Sequence, residues 1–167
     1  GNVLIILSDQ DLNMDQLTIP AAMAVGAVHH RLINEGVRCD CNIIVETAST
    51  WNSHHFAVLL GYGASAVYPY LAFNIINDLI IRNSFDRKSY ASHVQNFIKG
   101  INKGLLKIMS KMGISCVSSY RGAQLFETIG IDSAVIDLCW KNNTSRIEGA
   151  SCKDMENDLT KNKEDSS

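Results

Sequence analysis

Short apolar runs that end in polar residues alternate with helix-like segments along this chain. The first run covers residues 3–7 and is followed by Ser8 and Asp9. The second covers residues 39–46 and is followed by Thr47. A continuous apolar run is typical of a strand buried on both faces, and helices between such strands imply parallel pairing. The sequence therefore predicts an α/β fold: a mostly parallel sheet with covering helices, either open or barrel-like in its βα repeats.

Apolar periodicity predicts the remaining elements. Helices are expected from Pro20 to a stop at Gly36, from a cap at Ser53 to Gly61, and over residues 71–81 and 90–112. Further strands are expected at residues 63–67, 114–117 and 134–138, and a polar loop at residues 82–89.

The string KIMSKMGISCVSSYRGAQLFETIG at residues 107–130 is the most distinctive stretch. Ser118 and Ser119 follow a predicted strand, and either can cap a predicted helix over residues 120–129. Arg121 and Gln124 would then lie together at the positive end of the helix dipole. That end would attract an anion. The alternative is that Arg121 pairs with a carboxylate of a neighbouring element.

Bulk composition limits the classes of function. The chain has 167 residues, 46% of them hydrophobic, and a formal net charge of −2, which suits one domain with one core. This charge gives no electrostatic basis for binding nucleic acid. No apolar run approaches the roughly 20 residues of a membrane span, so a soluble protein is expected. Five cysteines outside a loop-rich scaffold favour a reducing compartment.

Histidines and cysteines occur in close pairs that resemble metal ligands at first sight. The pairs are His29 with His30, Cys39 with Cys41, and His54 with His55. Adjacent histidines on a helix point about 100° apart, so at most one of each pair could join the cysteines around a metal. Packing and hydrogen bonding are the favoured roles, with a zinc site or a Cys–His catalytic pair as less favoured alternatives. A phosphate-binding glycine motif is also missing after the strands.

Five strings occur in a fixed order along the chain. They are AVGAVHHRL at 24–32, HHFAVLLGYGASAVYPYLAF at 54–73, GLLKIMSKMGIS at 104–115, SYRGAQLFETIG at 119–130 and TSRIEG at 144–149. In this order they resemble the large chain of glutamate synthases. The resemblance covers residues 3–150 and indicates the later part of the central domain of that family and its lead into the FMN barrel.

The resemblance implies a multidomain parent enzyme. In that family a glutaminase domain releases ammonia from glutamine, and an FMN barrel with a 3Fe-4S cluster reduces the iminoglutarate formed with 2-oxoglutarate. The parent would be an oxidoreductase of glutamate biosynthesis and ammonia assimilation. Residues 1–150 would be the domain that links the two centres, and residues 151–167 a polar tail, frayed or truncated. The resemblance places no catalytic, cofactor-binding or metal-binding residue in this fragment.

The resemblance also implies partners. The flanking glutaminase and FMN domains of the same chain are expected, with ferredoxin or a pyridine-nucleotide-oxidising subunit as electron source, in either cytoplasm or plastid. Contacts to these domains or to the ammonia route are expected at Glu46, Ser118, Ser119, Arg121 and Gln124, from their places at strand ends and at a helix N-terminus. The alternative is a free-standing α/β binding or regulatory module without catalysis.

Overall fold

The computed structural model describes residues 3–11, 13, 16–82 and 89–164. In this part the strands are β1 (Val3–Ser8), β2 (Cys41–Glu46), β3 (Ala66–Tyr68), β4 (Glu127–Thr128) and β5 (Thr144–Ser145). The α-helices are α1 (Ala21–Asn34), α2 (Ser53–Gly61), α3 (Tyr70–Arg82), α4 (Tyr90–Lys111), α5 (Val117–Tyr120), α6 (Ser133–Cys139) and α7 (Cys152–Glu164). None of these described helices is long and apolar enough to cross a bilayer.

The first three strands form a parallel sheet in the order β1-β2-β3. β1 pairs residue for residue with β2, from Val3 opposite Cys41 to Ser8 opposite Glu46. Strands β4 and β5 form a separate two-stranded parallel sheet. The α/β prediction is confirmed, and within the described residues the sheets are open and form no closed barrel.

Helices α1 and α2 cover one face of the three-stranded sheet. Val25 of α1 and Leu59 of α2 pack with Ile43 and Val45 of β2, and all four side chains are buried. Side chains alternate along a strand, so Ile43 and Val45 point to the same face. Burial of side chains of this size stabilises the fold by about 1.5–3 kcal/mol each. This cluster therefore holds the sheet against both helices.

The opposite face of the sheet is exposed. Leu4 and Ile6 of β1 are 64% and 62% exposed, and Tyr68 of β3 is 47% exposed. The register places Ile6 opposite Ile44, which lies opposite Ala66. We call Leu4, Ile6, Ile44 and Tyr68 the open sheet face. Ile44 is half-buried, and the ring of Tyr68 contacts that of Phe73 in α3, with the centroids 5.4 Å apart. The exposure of Leu4 and Ile6 shows that no described helix covers β1 on this side of the sheet.

Two glycines allow helices to approach closely. A Cβ added at Gly26 of α1 would overlap the carbonyl oxygen of Cys139 at the end of α6. A Cβ added at Gly104 of α4 would overlap the side chain of Ser53 at the start of α2. The packing of α1 on α6 and of α4 on α2 therefore depends on the absence of a side chain at these two positions.

The segment from residue 114 to residue 139 differs from its prediction. The strand predicted at 114–117 is wrong, because residues 114–116 are irregular and α5 begins at Val117. The helix predicted at 120–129 is also wrong, because α5 ends at Tyr120 and β4 lies at Glu127–Thr128. The strand predicted at 134–138 is also wrong, because these residues lie in α6. Asp132 caps α6 by accepting the N–H of Ala134 at 2.8 Å. A short apolar run does not by itself distinguish a strand from a buried helix.

Smaller differences concern element ends. Asn52, rather than Ser53, caps α2, because its side-chain oxygen accepts the N–H groups of His54 and His55 at 2.9 and 3.1 Å. β3 begins at Ala66, later than the predicted strand. Most of the predicted loop at 82–89 lies outside the described residues. Helix α7 occupies most of the segment predicted as a polar tail, and a domain boundary at residue 150 stays a prediction.

Candidate functional site

Polar side chains meet at the carboxyl ends of β1 and β2, where a parallel sheet is expected to carry its functional groups. Ser8 donates its hydroxyl to Glu46 Oε2 at 2.6 Å. Asp9 accepts the hydroxyl of Thr47 at 2.5 Å and the backbone N–H of Ala48 at 3.0 Å. These contacts join the two loops, and we call Ser8, Asp9, Glu46 and Thr47 the carboxyl-edge cluster.

Tyr70, at the start of α3, extends this cluster. Its hydroxyl donates to the backbone oxygen of Asp9 at 3.4 Å. Burial, hydrogen bonding to Asp9 and the negative charges of Asp9, Glu46 and Asp11 raise the pKa of Tyr70 to about 12. The phenol therefore stays protonated at neutral pH. This environment suits a structural link between loops and does not suit a catalytic base.

A hollow beside the carboxyl-edge cluster contains two polar atoms without partners. Asp9, Thr50, His54 and His55 are among the residues that line it. Thr50 is buried, and neither its hydroxyl nor Nδ1 of His55 has a hydrogen-bond partner among the described residues. An unpaired buried polar atom costs about 1–3 kcal/mol. These two atoms are therefore available to bind water or a ligand at this edge.

Arg38 joins α1, β2 and the turn that precedes β3. Its Nε donates to Nδ1 of His29 at 2.8 Å, and its terminal nitrogens donate to the backbone oxygens of Cys41 and Gly63 at 2.7 and 2.8 Å. Because Nδ1 accepts this bond, the proton of neutral His29 is on Nε2. Burial, and then the charge of Arg38, lower the pKa of His29 to about 4. His29 is therefore uncharged at neutral pH.

The five residues predicted as contacts lie in different places. Glu46 belongs to the carboxyl-edge cluster. Ser118 and Ser119 are exposed within α5, so their predicted role as helix caps is wrong. Arg121 follows α5 and donates to Ser65 Oγ at 3.4 Å.

The two alternatives for Arg121 both differ from the structure. Helix α5 ends before this residue, so Arg121 and Gln124 do not lie in the first turn of a helix. Arg121 also has no ion pair with a carboxylate among the described residues. Its Nε is buried and lacks a hydrogen-bond partner in the same part of the chain.

Gln124 lines a pocket of about 300 Å³ together with His29, His30, Lys141 and Asn142. We call it the histidine–lysine pocket. Gln124 and Asn142 have positive φ angles of 52° and 69°, in the left-handed region that residues other than glycine rarely adopt. The sequence analysis did not predict Lys141 or Asn142 as site residues, because only the tertiary fold brings them close to α1. The adjacent histidines are the local signal of this pocket.

The cysteines and histidines do not assemble into a metal site in the part of the chain that the structure describes. No group of three or more His, Cys, Asp or Glu residues there is arranged to hold a metal ion. Cys41 and Cys139 are buried, and Cys39, Cys116 and Cys152 are exposed. The described cysteines therefore lack the grouping that an iron–sulfur cluster requires.

A sequence profile described as the glutamate synthase central domain matches residues 1–132, which include the three-stranded sheet and helices α1 to α5. The chain belongs to the glutamate synthase central domain family. It is 46% identical over 162 residues to the ferredoxin-dependent glutamate synthase of Pyropia yezoensis. It is 44% identical over 160 residues to ferredoxin-dependent glutamate synthase 1, chloroplastic/mitochondrial, of Arabidopsis thaliana. It is 45% identical over 149 residues to the glutamate synthase [NADPH] large chain of Bacillus subtilis.

These glutamate synthase alignments cover 90%, 89% and 89% of this chain, respectively, and 10% of each relative. The chain thus spans about a tenth of the length of the relatives it matches. The family inferred from the five sequence strings is confirmed.

Proposed function

We propose that this chain is the domain that links the glutaminase and FMN domains of a glutamate synthase. The parent enzyme would make glutamate from glutamine and 2-oxoglutarate by reductive amidotransfer, with electrons from ferredoxin or a pyridine-nucleotide-oxidising subunit. The domain itself would perform no chemistry. It would hold two reaction centres apart and support the route of ammonia between them. Membership of the central domain family supports this assignment.

The open sheet face is the observation that carries the proposal. Parallel sheets occur almost only with helices or other structure on both faces. Leu4 and Ile6 are more than 60% exposed, although they lie on a strand paired along its whole length. Since each alignment covers 10% of a relative, most of such a parent chain lies outside this sequence. Another domain of the parent is therefore the fitting cover for this face.

Five polar residues are the proposed contacts to neighbouring domains, and one of them lies on the side of the open sheet face. Glu46 lies opposite Tyr68 at the carboxyl end of the sheet, on the same side as the exposed apolar residues. The further proposed contacts to neighbouring domains or to the ammonia route are Ser118, Ser119, Arg121 and Gln124, which lie in α5 and the turn after it.

The described residues do not fit either cofactor implied for the parent. A 3Fe-4S cluster needs closely grouped cysteine thiolates, and no such group forms in the described ranges. A glycine-rich loop that leads from a strand into a helix, which would hold the phosphate of FMN, is missing from the sequence. Other domains of the parent would bind both groups.

Substitution of the open sheet face tests the proposal in the full-length protein. Ile6→Lys places a charge where the covering domain would pack, and burial of an unpaired charge is costly. We expect the two centres to lose their coupling, so that more of the ammonia released from glutamine escapes to solvent. The measurement compares free ammonia with glutamate formed, at saturating glutamine and 2-oxoglutarate.

A matched variant controls for the added lysine. Leu106 of α4 is 65% exposed and lies outside the sheet, so Leu106→Lys introduces the same charge at a similarly exposed apolar position. We expect Leu106→Lys to keep the wild-type ratio of ammonia to glutamate. Equal ratios in wild type and Ile6→Lys would contradict the linking role of the open sheet face.

A further inference from the structure

Lys141 lines the histidine–lysine pocket, and the charges of Arg38 and Arg121 act on His29 in its wall. Its lining contains no Asp or Glu. Arg38, Arg121 and Lys141 form no ion pair among the described residues. Burial and then the charge of Arg121 lower the pKa of Arg38, so these two guanidinium groups are close enough to repel each other. An anion in the pocket would offset this repulsion.

The pocket also presents hydrogen-bond donors. Nε2 of His29 lies 3.7 Å from the position that a Cβ of Gly122 would take, and both residues line the pocket. Lys141, Gln124 and Asn142 line the same pocket, and their side chains carry N–H donors. Donors of this kind, with no acceptor carboxylate beside them, match the oxygen atoms of an anion.

Backbone strain supports a ligand at this position. Gln124 and Asn142 hold left-handed φ angles of 52° and 69° on the pocket wall. Strained residues other than glycine persist where the surrounding structure fixes them, and they concentrate at ligand sites. The strain, the charge and the donors are three separate features of one cavity.

We infer that the histidine–lysine pocket binds a small oxyanion, either a phosphate group or the carboxylate of a small organic acid. Lys141 supplies the charge, and His29 supplies a neutral N–H donor. The amides of Gln124 and Asn142 complete the hydrogen bonds, and the volume of about 300 Å³ admits an ion of this size. This inference does not rest on the linking role, because no residue of the open sheet face lines the pocket.

Calorimetric titration of the full-length protein tests the inference. Inorganic phosphate and succinate are titrated separately, in a chloride buffer, to distinguish the two sources of the oxyanion. We expect saturable binding of at least one of them. Lys141→Gln should weaken that binding by about ten-fold, since it removes a charge-assisted hydrogen bond. Lys103→Gln, which removes another exposed lysine, in α4, should leave the affinity unchanged.

A second variant separates ligand binding from structural support. Gln124→Gly removes the amide and also relieves the left-handed strain, so the protein should stay folded while phosphate or succinate binds more weakly. The inference is overturned if neither ion binds, or if the wild type, Lys141→Gln and Gln124→Gly bind both ions with the same affinity.

Discussion

His29 shows how one neighbour sets the chemistry of a residue. Arg38 donates to its Nδ1, so the ring presents Nε2–H to the pocket and remains neutral. Burial is the largest cause of the lowered pKa, and the charge of Arg38 is the next. The sequence shows two adjacent histidines, but the protonation of His29 depends on burial and on an arginine that the tertiary fold brings to it.

His29 makes stability depend on pH in a definite direction. Its pKa falls from 6.5 to about 4 on folding, so below about pH 6.5 the unfolded chain binds a proton that the folded chain does not. Stability is therefore lost as pH falls from about 6.5 towards 4. Because His29 is only half-buried, we expect a loss of about 1–2 kcal/mol, less than the full shift implies.

The variant His29→Gln isolates this contribution, since glutamine can still accept the hydrogen bond from Arg38. Urea unfolding of the chain at about pH 7.5 and about pH 5 gives the change in free energy for each protein. We expect the wild type to lose about 1–2 kcal/mol more than the variant between these pH values. Equal losses would contradict the neutral state of His29.

The sequence analysis selected some residues that do lie at the pocket, although the geometry it predicted for them was wrong. Arg121 and Gln124 were expected in the first turn of one helix, yet they lie in a turn after α5, and Gln124 still reaches a cationic pocket. The string at residues 107–130 predicted a binding site near Arg121 and Gln124. It could not predict Lys141, because that contact depends on how α6 packs against α1.

At the scale of elements, two glycines of α4 allow the same substitution to be compared at an open position and at a packed position. Gly100 has nothing within 4 Å of a Cβ position, whereas a Cβ at Gly104 overlaps Ser53. Gly100→Ala should stabilise the chain by up to about 1 kcal/mol, because alanine favours the helix. Gly104→Ala should destabilise it by about 1–3 kcal/mol, because α4 must move away from α2. Urea unfolding of both variants measures the difference, and a stabilising Gly104→Ala would contradict the described packing.

Elements with strong periodicity or clear ends were predictable, and short ones were not. β1 and β2 are apolar runs that end in polar residues, and α4 repeats its apolar side chains over 22 residues. By contrast, the run at residues 134–138 fits either a strand or a buried helix. The structure shows a helix here, and Asp132 caps it. From the sequence alone, a possible cap at Asp132 favours a helix, but the β-branched residues beside it favour a strand equally.

At the scale of the whole molecule, the open sheet face should make the isolated chain associate. Without a covering domain, the exposed side chains of Leu4, Ile6 and Tyr68 can be buried by a second copy. We expect sedimentation velocity of the 167-residue chain to show association that increases with concentration. Ile6→Lys should reduce it, and Leu106→Lys should not. A wild-type chain that stays monomeric at all concentrations would contradict this expectation.

The three bonds of Arg38 also have a consequence for the order of folding. Its partners His29, Cys41 and Gly63 lie 9, 3 and 25 residues away along the chain. Contacts between residues that are near in sequence require little loop closure and form quickly. We therefore expect the segment from α1 to β3 to assemble early, so that a ribosome-bound chain would already contain this unit while its later helices are still being synthesised.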